Sequence, residues 1–537
     1  MSRPFLKNSG DNGWIVQKFG GTSVGKFPHK IAEDIVRQYV SSPNRIVVVC
    51  SARSPGKKVG GTTSRLLEVV RNMQLLGPAA AMSDEVAQIQ LVEAAQEIIY
   101  SICNEHVTCA QSSVSDPALC DALCKEIEDE CRELAEYVTA IKRFNLEVNA
   151  RSKDRVISFG EKLSCRLMTY VLRDHQVAAE YVDLADALHS GTGGHAHDRL
   201  DDAFYKEAAC AFAKKIAACG ENVPVVTGFF GNVPGSLVDG DVGRGYTDLC
   251  AALVAVGIQA QELQVWKEVD GIFTADPSKV PTARLIPCIT PSEAAELTFY
   301  GSEVIHHLTM DQVVKAVPPI PVRIKNVKNP RGNGTIVLPD PVRAPGQQLQ
   351  RVVRGSFITP AVNGTAHSRP AAANAGVRLT PRRPTAVTIK DRISVLNIHS
   401  NKRSLAHGFV ARLFSILDHH QISVDLIATS EVHVSMAIHA PNARVADSNL
   451  ELARKELGVL GDVSLLHGMA ILSLVGADMK NMIGVAGKMF STLGEHNINI
   501  EMISQGASEI NISCVIDADD ATRAMNVLHT NLFTFLD

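Results

Sequence analysis

From residue 15 to residue 340, short β-branched runs alternate with longer stretches of helical periodicity, and this alternation constrains the fold more than any other feature. "VQKF" at 16–19, "RIVVVCSA" (Arg45–Ala52), "DRVISFG" (Asp154–Gly160), "AAEYVDL" (Ala178–Leu184), "VPVVTGFFG" (Val223–Gly231) and "ELQVWKEVDG" (Glu262–Gly271) read as strands. The stretches 84–102, 120–143, 161–174 and 203–219 read as helices. Buried strands separated by helices predict a mostly parallel sheet covered on both faces, an α/β fold. Ligands of such folds sit beyond the C-terminal ends of the strands.

Three segments at such ends carry chemistry. "VQKFGGTSVGKFP" (Val16–Pro28) runs a strand into glycines. Backbone N–H groups in such a turn can approach an anion. Lys18 adds a point charge able to neutralise a transferring phosphoryl group. The spacing is neither GxxxxGK[ST] nor GxGxxG, and a tight strand–helix turn with solvated lysines accounts for these residues equally well. "SFGEKLSCRLM" (Ser158–Met168) places Glu161 at an expected strand-to-helix junction. It is either a carboxylate favoured by the helix dipole or an anchor for a substrate ammonium. "GRGYTD" (Gly243–Asp248) gathers Arg244, Thr247 and Asp248 before an apolar helix. Arg244 can grip a carboxylate with two hydrogen bonds, and Asp248 an ammonium or a metal. The competing reading is an N-capping loop.

The C-terminal part contains a repeat at a constant offset of 76: "GFVARLFSILDHHQISVDLI" (Gly408–Ile427) and "GVAGKMFSTLGEHNINIEMI" (Gly484–Ile503). Each copy reads strand, glycine-started helix, strand, turn, strand, helix. Upstream strands are expected at Ile393–Ser400 and Met469–Gly476, and further ones at Val432–His439 and Ile510–Asp517. Two copies argue for paired α+β modules rather than a solenoid. Between the halves, residues 341–384 are rich in Pro, Ala, Gly and Asn and read as a linker, with a short strand at Arg351–Ile358.

A net charge of −4 gives no electrostatic case for nucleic acid or an anionic membrane. The most apolar stretch, Cys250–Ile258, is too short to span a bilayer. "MSRPFLKNSGDNGW" lacks the apolar core of a secretory signal. The twelve cysteines form no CxxC pair, and Cys120, Cys124 and Cys131 stack on one helical face. Buried reduced thiols of a cytosolic protein are the expected reading.

Taken in order, "VQKFGGTSVG", "VVVCSARS", "GTTSRLL", "SFGEKLS", "PVVTGFFG", "GRGYTD", "VDGIFTADP" and "YGSEVIHH" resemble the aspartate kinases, and the repeats resemble that family's two ACT modules. The details look most like the fungal, monofunctional form. The resemblance implies an amino-acid kinase domain at 1–340, the linker at 341–384, and ACT modules at 385–467 and 468–537. It implies ATP-dependent phosphorylation of the aspartate side-chain carboxylate to 4-phospho-aspartate, the first step of the threonine and methionine pathway, in the cytoplasm. Lys18, Gly20, Gly21 and Ser23 would cradle the ATP phosphates, with Ser51 in the same cleft. Lys267, Glu268, Phe273 and Lys279 would line the adenosine side. Thr63, Glu161, Arg244, Thr247 and Asp248 would hold aspartate, and Lys18, Arg244, Asp248 and His306 would serve catalysis. His306 reads equally as a structural histidine holding a loop. Mg²⁺ would ride on ATP, with no metal site of the chain's own. An inhibitory amino acid, threonine first and lysine second, would bind at Gly408, Phe409, Val410, Val424, Asp425, Ser430 and Glu431. A homodimer or homotetramer is expected. Another amino-acid kinase, or a non-catalytic amino-acid sensor, are the alternatives. Glu303, where bacterial relatives carry a nucleotide-contacting lysine, Tyr246-Thr247, where Gly-Ser is common, and His307, in place of a proline, depart from the family pattern.

Overall fold

The computed structural model describes residues 5–54, 60–76, 85–185, 187–188, 200–231, 245–299, 305–338, 383–400, 408–430, 432–439, 443–479, 482–506 and 510–534. Arg244, Glu431, Glu303, the segment 341–382 and the strand expected at Arg351–Ile358 lie outside them.

Eight strands form the first sheet: β1 (Trp14–Phe19), β2 (Arg45–Cys50), β3 (Ala179–Val182), β4 (Val223–Thr227), β5 (Glu262–Lys267), β6 (Cys288–Ile289), β7 (Val322–Asn326) and β8 (Thr335–Val337). Their order is β3-β4-β2-β1-β5-β7-β8-β6, parallel except for the β7–β8 pair. The register aligns Phe19 with Cys50 on one side and Trp266 on the other, so the loops after β1, β2 and β5 emerge along one edge. The helices around this sheet include α1 (Gly21–Lys26), α2 (Thr62–Leu76), α3 (Glu85–Ser113), α4 (Pro117–Phe144), α5 (Ala150–Asp174), α6 (Asp202–Ala218), α7 (Tyr246–Gly257), α8 (Pro291–Phe299) and α9 (His307–Lys315). The central strands are buried on both faces, as Val16, Val47 and Val49 on one side and Phe19, Ile46 and Val48 on the other show. None of the described helices is long and apolar enough to cross a membrane.

One strand reading is corrected. Asp154–Gly160 is not a strand but the first turns of α5, so Glu161 lies inside a helix. Asn149 caps the helix by accepting from Ser152 N at 3.0 Å. Every residue from Val156 to Glu161 is buried. An all-round buried helix shows no amphipathic contrast, and a short apolar run then reads as a strand.

The second sheet has six strands: β9 (Ala386–Ser400), β10 (Val424–Thr429), β11 (His433–His439), β12 (Gly461–Val475), β13 (Met502–Ser504) and β14 (Asn511–Asp517). Their order is β10-β11-β9-β12-β14-β13. Helices α10 (Phe409–His419) and α11 (Ala443–Leu457) cover one end, and α12 (Val485–Glu495) and α13 (Ala521–His529) the other. Gly408 and Gly484 both start their helices at positive φ, +82° and +85°, where glycine carries no Cβ penalty. β9 and β12 have fifteen residues each and run through both ends of the sheet. The half of β9 that follows Ile393 pairs with β11, while its first half pairs with the part of β12 that also meets β14.

All twelve cysteines are free, most of them buried. The sequence spacing did place Cys120, Cys124 and Cys131 together on α4.

Candidate active site

The site forms where the loops after β1, β2 and β5 meet the start of α7. Lys18, the next-to-last residue of β1, is almost buried, and its Nζ stands 2.7 Å from Asp248 Oδ1 in the first turn of α7. Burial by itself would raise the Asp248 carboxyl, but Lys18 and then Lys267 outweigh that and hold it below the usual carboxylate range. A protonated His306 would add to the same effect. His306 stands at the start of α9 against Gly245, where an added Cβ would fall 2.3 Å from its ring. The turn after β1 is equally tight, since a Cβ on Gly21 would lie 2.0 Å from the Ala52 carbonyl oxygen. Gly20 caps α1, and Ser51 N donates to Phe19 O at 3.1 Å, which knits the first two loops together.

A second group is built around Glu161. α5 passes so close to the loop after β2 that a Cβ on Gly160 would come within 2.8 Å of Ala52 Cβ. Glu161 is fully buried. Its Oε1 accepts from Ala52 N at 3.2 Å and from the Tyr246 hydroxyl at 2.7 Å. Thr63 stands beside the Tyr246 hydroxyl and offsets part of the burial that pushes that phenol up. Among the described residues, Glu161 Oε2 has no hydrogen-bond partner. Burial pushes the Glu161 carboxyl up to about 7, against the two donors that pull it down. A buried carboxylate oxygen without a partner costs free energy unless a ligand supplies a donor. Thr247 lies nearby, buried against Gly228, whose added Cβ would meet the Thr247 methyl at 2.4 Å.

The stretch after β5 carries the remaining candidates. Ser23 donates its hydroxyl to Glu268 Oε1 at 2.6 Å, which ties the glycine turn to this stretch. Phe273 lines a cavity of about 250 Å³ together with Asp270, Leu285, Asn326, Asn329 and two glycines. Lys279 is placed apart, its Nζ 3.4 Å from Asp391 of β9. Sequence reading passed over Tyr246 as an anchor for Glu161, because it registered only as a departure from a small-residue pair. Asn326 and Asp270, joined at 3.0 Å, were also missed, since nothing local in either segment signals the other.

In the second sheet, Gly408 and Val410 lie at the start of α10, Val410 half-exposed and Phe409 buried. Val424 and Asp425 open β10. Asp425 Oδ1 is 2.8 Å from Lys390 Nζ, and Oδ2 has no hydrogen-bond partner among the described residues. Ser430 is exposed in the hairpin turn, where its Oγ accepts from His433 N at 3.2 Å.

The profile of the amino acid kinase family matches residues 13–326, and that of an ACT domain matches residues 472–532. An aspartate kinase of Gibberella moniliformis is 51% identical over 98% of this chain and 99% of its own length. The aspartokinase of Saccharomyces cerevisiae is 47% identical over 99% of this chain and 95% of its own. Among solved structures, E. coli aspartokinase III in complex with aspartate and ADP, in its R-state, superposes with a TM-score of 0.61 at 26% identity. It covers 97% of this chain and 99% of its own. The same enzyme with lysine and aspartate, in its T-state, gives 0.66 at 25% identity with the same coverage.

Proposed function

This chain belongs to the aspartokinases of the amino acid kinase family, and from that premise we propose how its residues phosphorylate aspartate. The observation that carries the reading is Glu161, a buried carboxylate with one satisfied and one unpartnered oxygen, on the same edge as the Lys18–Asp248 pair. The unpartnered oxygen suits the aspartate ammonium. Thr63 and Thr247 offer hydroxyls beside it, and Arg244 clamps a substrate carboxylate through its planar pair of donors.

ATP supplies the phosphoryl group. Its phosphates lie on Gly20 and Gly21, with Ser23 and Ser51 flanking. The adenosine side runs along Lys267, Glu268 and Phe273 toward the cavity beside Phe273, with Lys279 further out. The attacking carboxylate is already ionised near neutral pH, so no general base is required. The difficulty is bringing an anion onto a polyanion. Positioning and charge neutralisation therefore supply most of the rate. Lys18 neutralises charge on the transferring group, and Asp248 keeps that ammonium fixed. Mg²⁺ would arrive on the ATP phosphates and need one or two carboxylates from the chain. Asp248, ionised and almost buried, fits that part. His306 adjoins both Gly245 and Asp248 and serves to set that loop.

The catalytic part occupies 1–340, joined by 341–384 to two ACT units at 385–467 and 468–537. Threonine inhibits through the first unit, at the start of α10 and along β10, with lysine as the alternative effector. Glu431 belongs to the same group. The reaction opens the route to threonine and methionine, and the enzyme works in the cytoplasm as a homodimer or homotetramer. The free thiols fit a reducing compartment. An ADP-release assay across a panel of amino acids tests the central reading. ADP release with aspartate alone supports it. Release with glutamate or acetylglutamate instead, or with none, contradicts it.

A further inference from the structure

The stretch after β5 is gripped from behind by the second ACT unit. Residues 272–286 fold back on themselves: Phe273 bridges Leu285, Ile286 N donates to Ile272 O at 2.8 Å, and Thr274 N donates to Arg284 O at 2.9 Å. His529, the last residue of α13, is fully buried against this fold-back. Its Nε2 is 2.8 Å from Thr274 Oγ1 and its Nδ1 is 3.1 Å from Thr282 Oγ1. One rigid ring thus joins both arms. The ring stacks on Phe533 at 4.9 Å, and the Phe533 carbonyl accepts from Arg284 at 2.6 Å. Ala275 and Val280 belong to the apolar core of the second unit. Val387 N donates to Thr274 O at 2.8 Å, and Asn526 donates to Lys279 O at 2.9 Å.

The other side of the same fold-back carries Phe273, on the wall of the cavity it shares with Asp270 and Asn326. A shift of either arm would move that wall. Imidazole offers two nitrogens on a fixed plane, so it can set the spacing of two hydroxyls in a way no flexible chain can. We propose that His529 is a positioning residue for nucleotide binding: by bridging Thr274 and Thr282 it fixes the pose of 272–286, and through it the second ACT unit sets the enzyme's affinity for ATP. The inference rests on the reading of Lys267–Lys279 as the nucleotide segment. Burial, reinforced by Arg284, lowers the His529 pKa, which keeps the ring neutral and able both to donate and to accept.

The experiment measures KM for ATP, KM for aspartate and kcat in the full-length enzyme carrying His529→Ala, His529→Gln, Thr274→Val or Phe273→Ala, with direct titration of ADP. His529→Ala is expected to raise KM for ATP and Kd for ADP between about twofold and thirtyfold, with kcat and KM for aspartate nearly constant. His529→Gln, which retains one bond, should recover part of the loss. Thr274→Val should act in the same direction, and combining it with His529→Ala should add little. Should His529→Ala fail to fold, Thr274→Val and His529→Gln carry the test. Unchanged nucleotide affinity in folded His529 and Thr274 variants, with Phe273→Ala impaired, overturns the positioning role alone. Unchanged affinity in Phe273→Ala as well overturns the nucleotide reading on which it rests.

Discussion

Lys18 Nζ lies 2.7 Å from Asp248 Oδ1, joining the end of the central strand to the first turn of a buried helix. Neither group is well solvated, and Lys18 is the main positive charge holding the Asp248 carboxyl below its usual range. Lys18→Ala is expected to lower kcat at least about a hundredfold, as for loss of a charge acting on the transition state. It should also destabilise the fold by roughly 3 kcal/mol, because Asp248 is left in place without its partner. Adding Asp248→Asn should restore the melting temperature but not kcat. A folded Lys18→Ala enzyme with kcat near wild type would falsify the assignment.

Glu161 gives a prediction with two opposite signs. Its pKa of about 7 lies above that of the unfolded chain, so the folded state holds a proton that the unfolded state has lost. Its contribution to stability is full below about pH 4.3 and is lost as pH rises through about 7. Glu161→Gln should flatten that part of the melting profile. Aspartate binding runs the other way, because only the ionised form holds an ammonium. KM for aspartate should fall as pH rises through about 7 in the wild type. In Glu161→Gln it should be high and nearly independent of pH. A falling KM that survives in Glu161→Gln assigns the titration to another group.

Tyr246→Phe removes the hydroxyl that holds the Glu161 pKa down. The inflection in KM for aspartate should move to higher pH, with kcat on saturation little changed. A packing role alone for Tyr246 would leave the inflection where it is.

Arg244→Lys should raise KM for aspartate by about tenfold or more, since a single ammonium cannot reproduce a planar two-bond clamp. KM for ATP should hold. A rise in KM for ATP only would move Arg244 to the nucleotide.

Threonine titrations of wild type, Ser430→Ala and Asp425→Ala at fixed aspartate test the regulatory reading. Wild type should be inhibited with a coupling of about 1–3 kcal/mol. Both variants should escape while kcat stays within a few-fold. Ser430→Ala is the cleaner probe, because Asp425→Ala also strips Lys390 of its counter-charge. Lys390 Nζ stands 4.6 Å from the Phe299 ring centre in the catalytic half. If threonine and lysine both leave wild type untouched, the effector assignment fails.

Much of this architecture was legible because local pattern and fold agree. β2 and β4 are nearly continuous apolar runs, β1 and β5 are apolar runs interrupted by polar residues, and the two glycine-started helices repeat at fixed offset. Lys18, Gly21 and Asp248 announced themselves through glycines that only close backbone approach requires. What stayed hidden was of two kinds. Residues 156–161 of α5 are buried all round, which erases the period that distinguishes helix from strand. The bonds of Tyr246 to Glu161, Ser23 to Glu268 and His529 to Thr274 join residues far apart in the chain, and no local pattern encodes a long-range partner.

The two fifteen-residue strands give the second sheet a nested design. Beyond Ile393, β9 runs on to Ser400, and the chain then builds α10, β10, β11 and α11 and enters β12 at Gly461, which faces Ser400 in register, before Leu466 faces Val395. That excursion starts and ends on neighbouring strands, so it behaves as a cassette inserted into the second unit. Exchanging residues 393–466 for those of another family member would replace the proposed effector site and leave the contacts to the catalytic half untouched at Thr385, Val387 and His529. A cut placed midway between the repeats would do the reverse, orphaning one strand of each unit. The joint to the kinase half thus lies wholly outside the inserted segment.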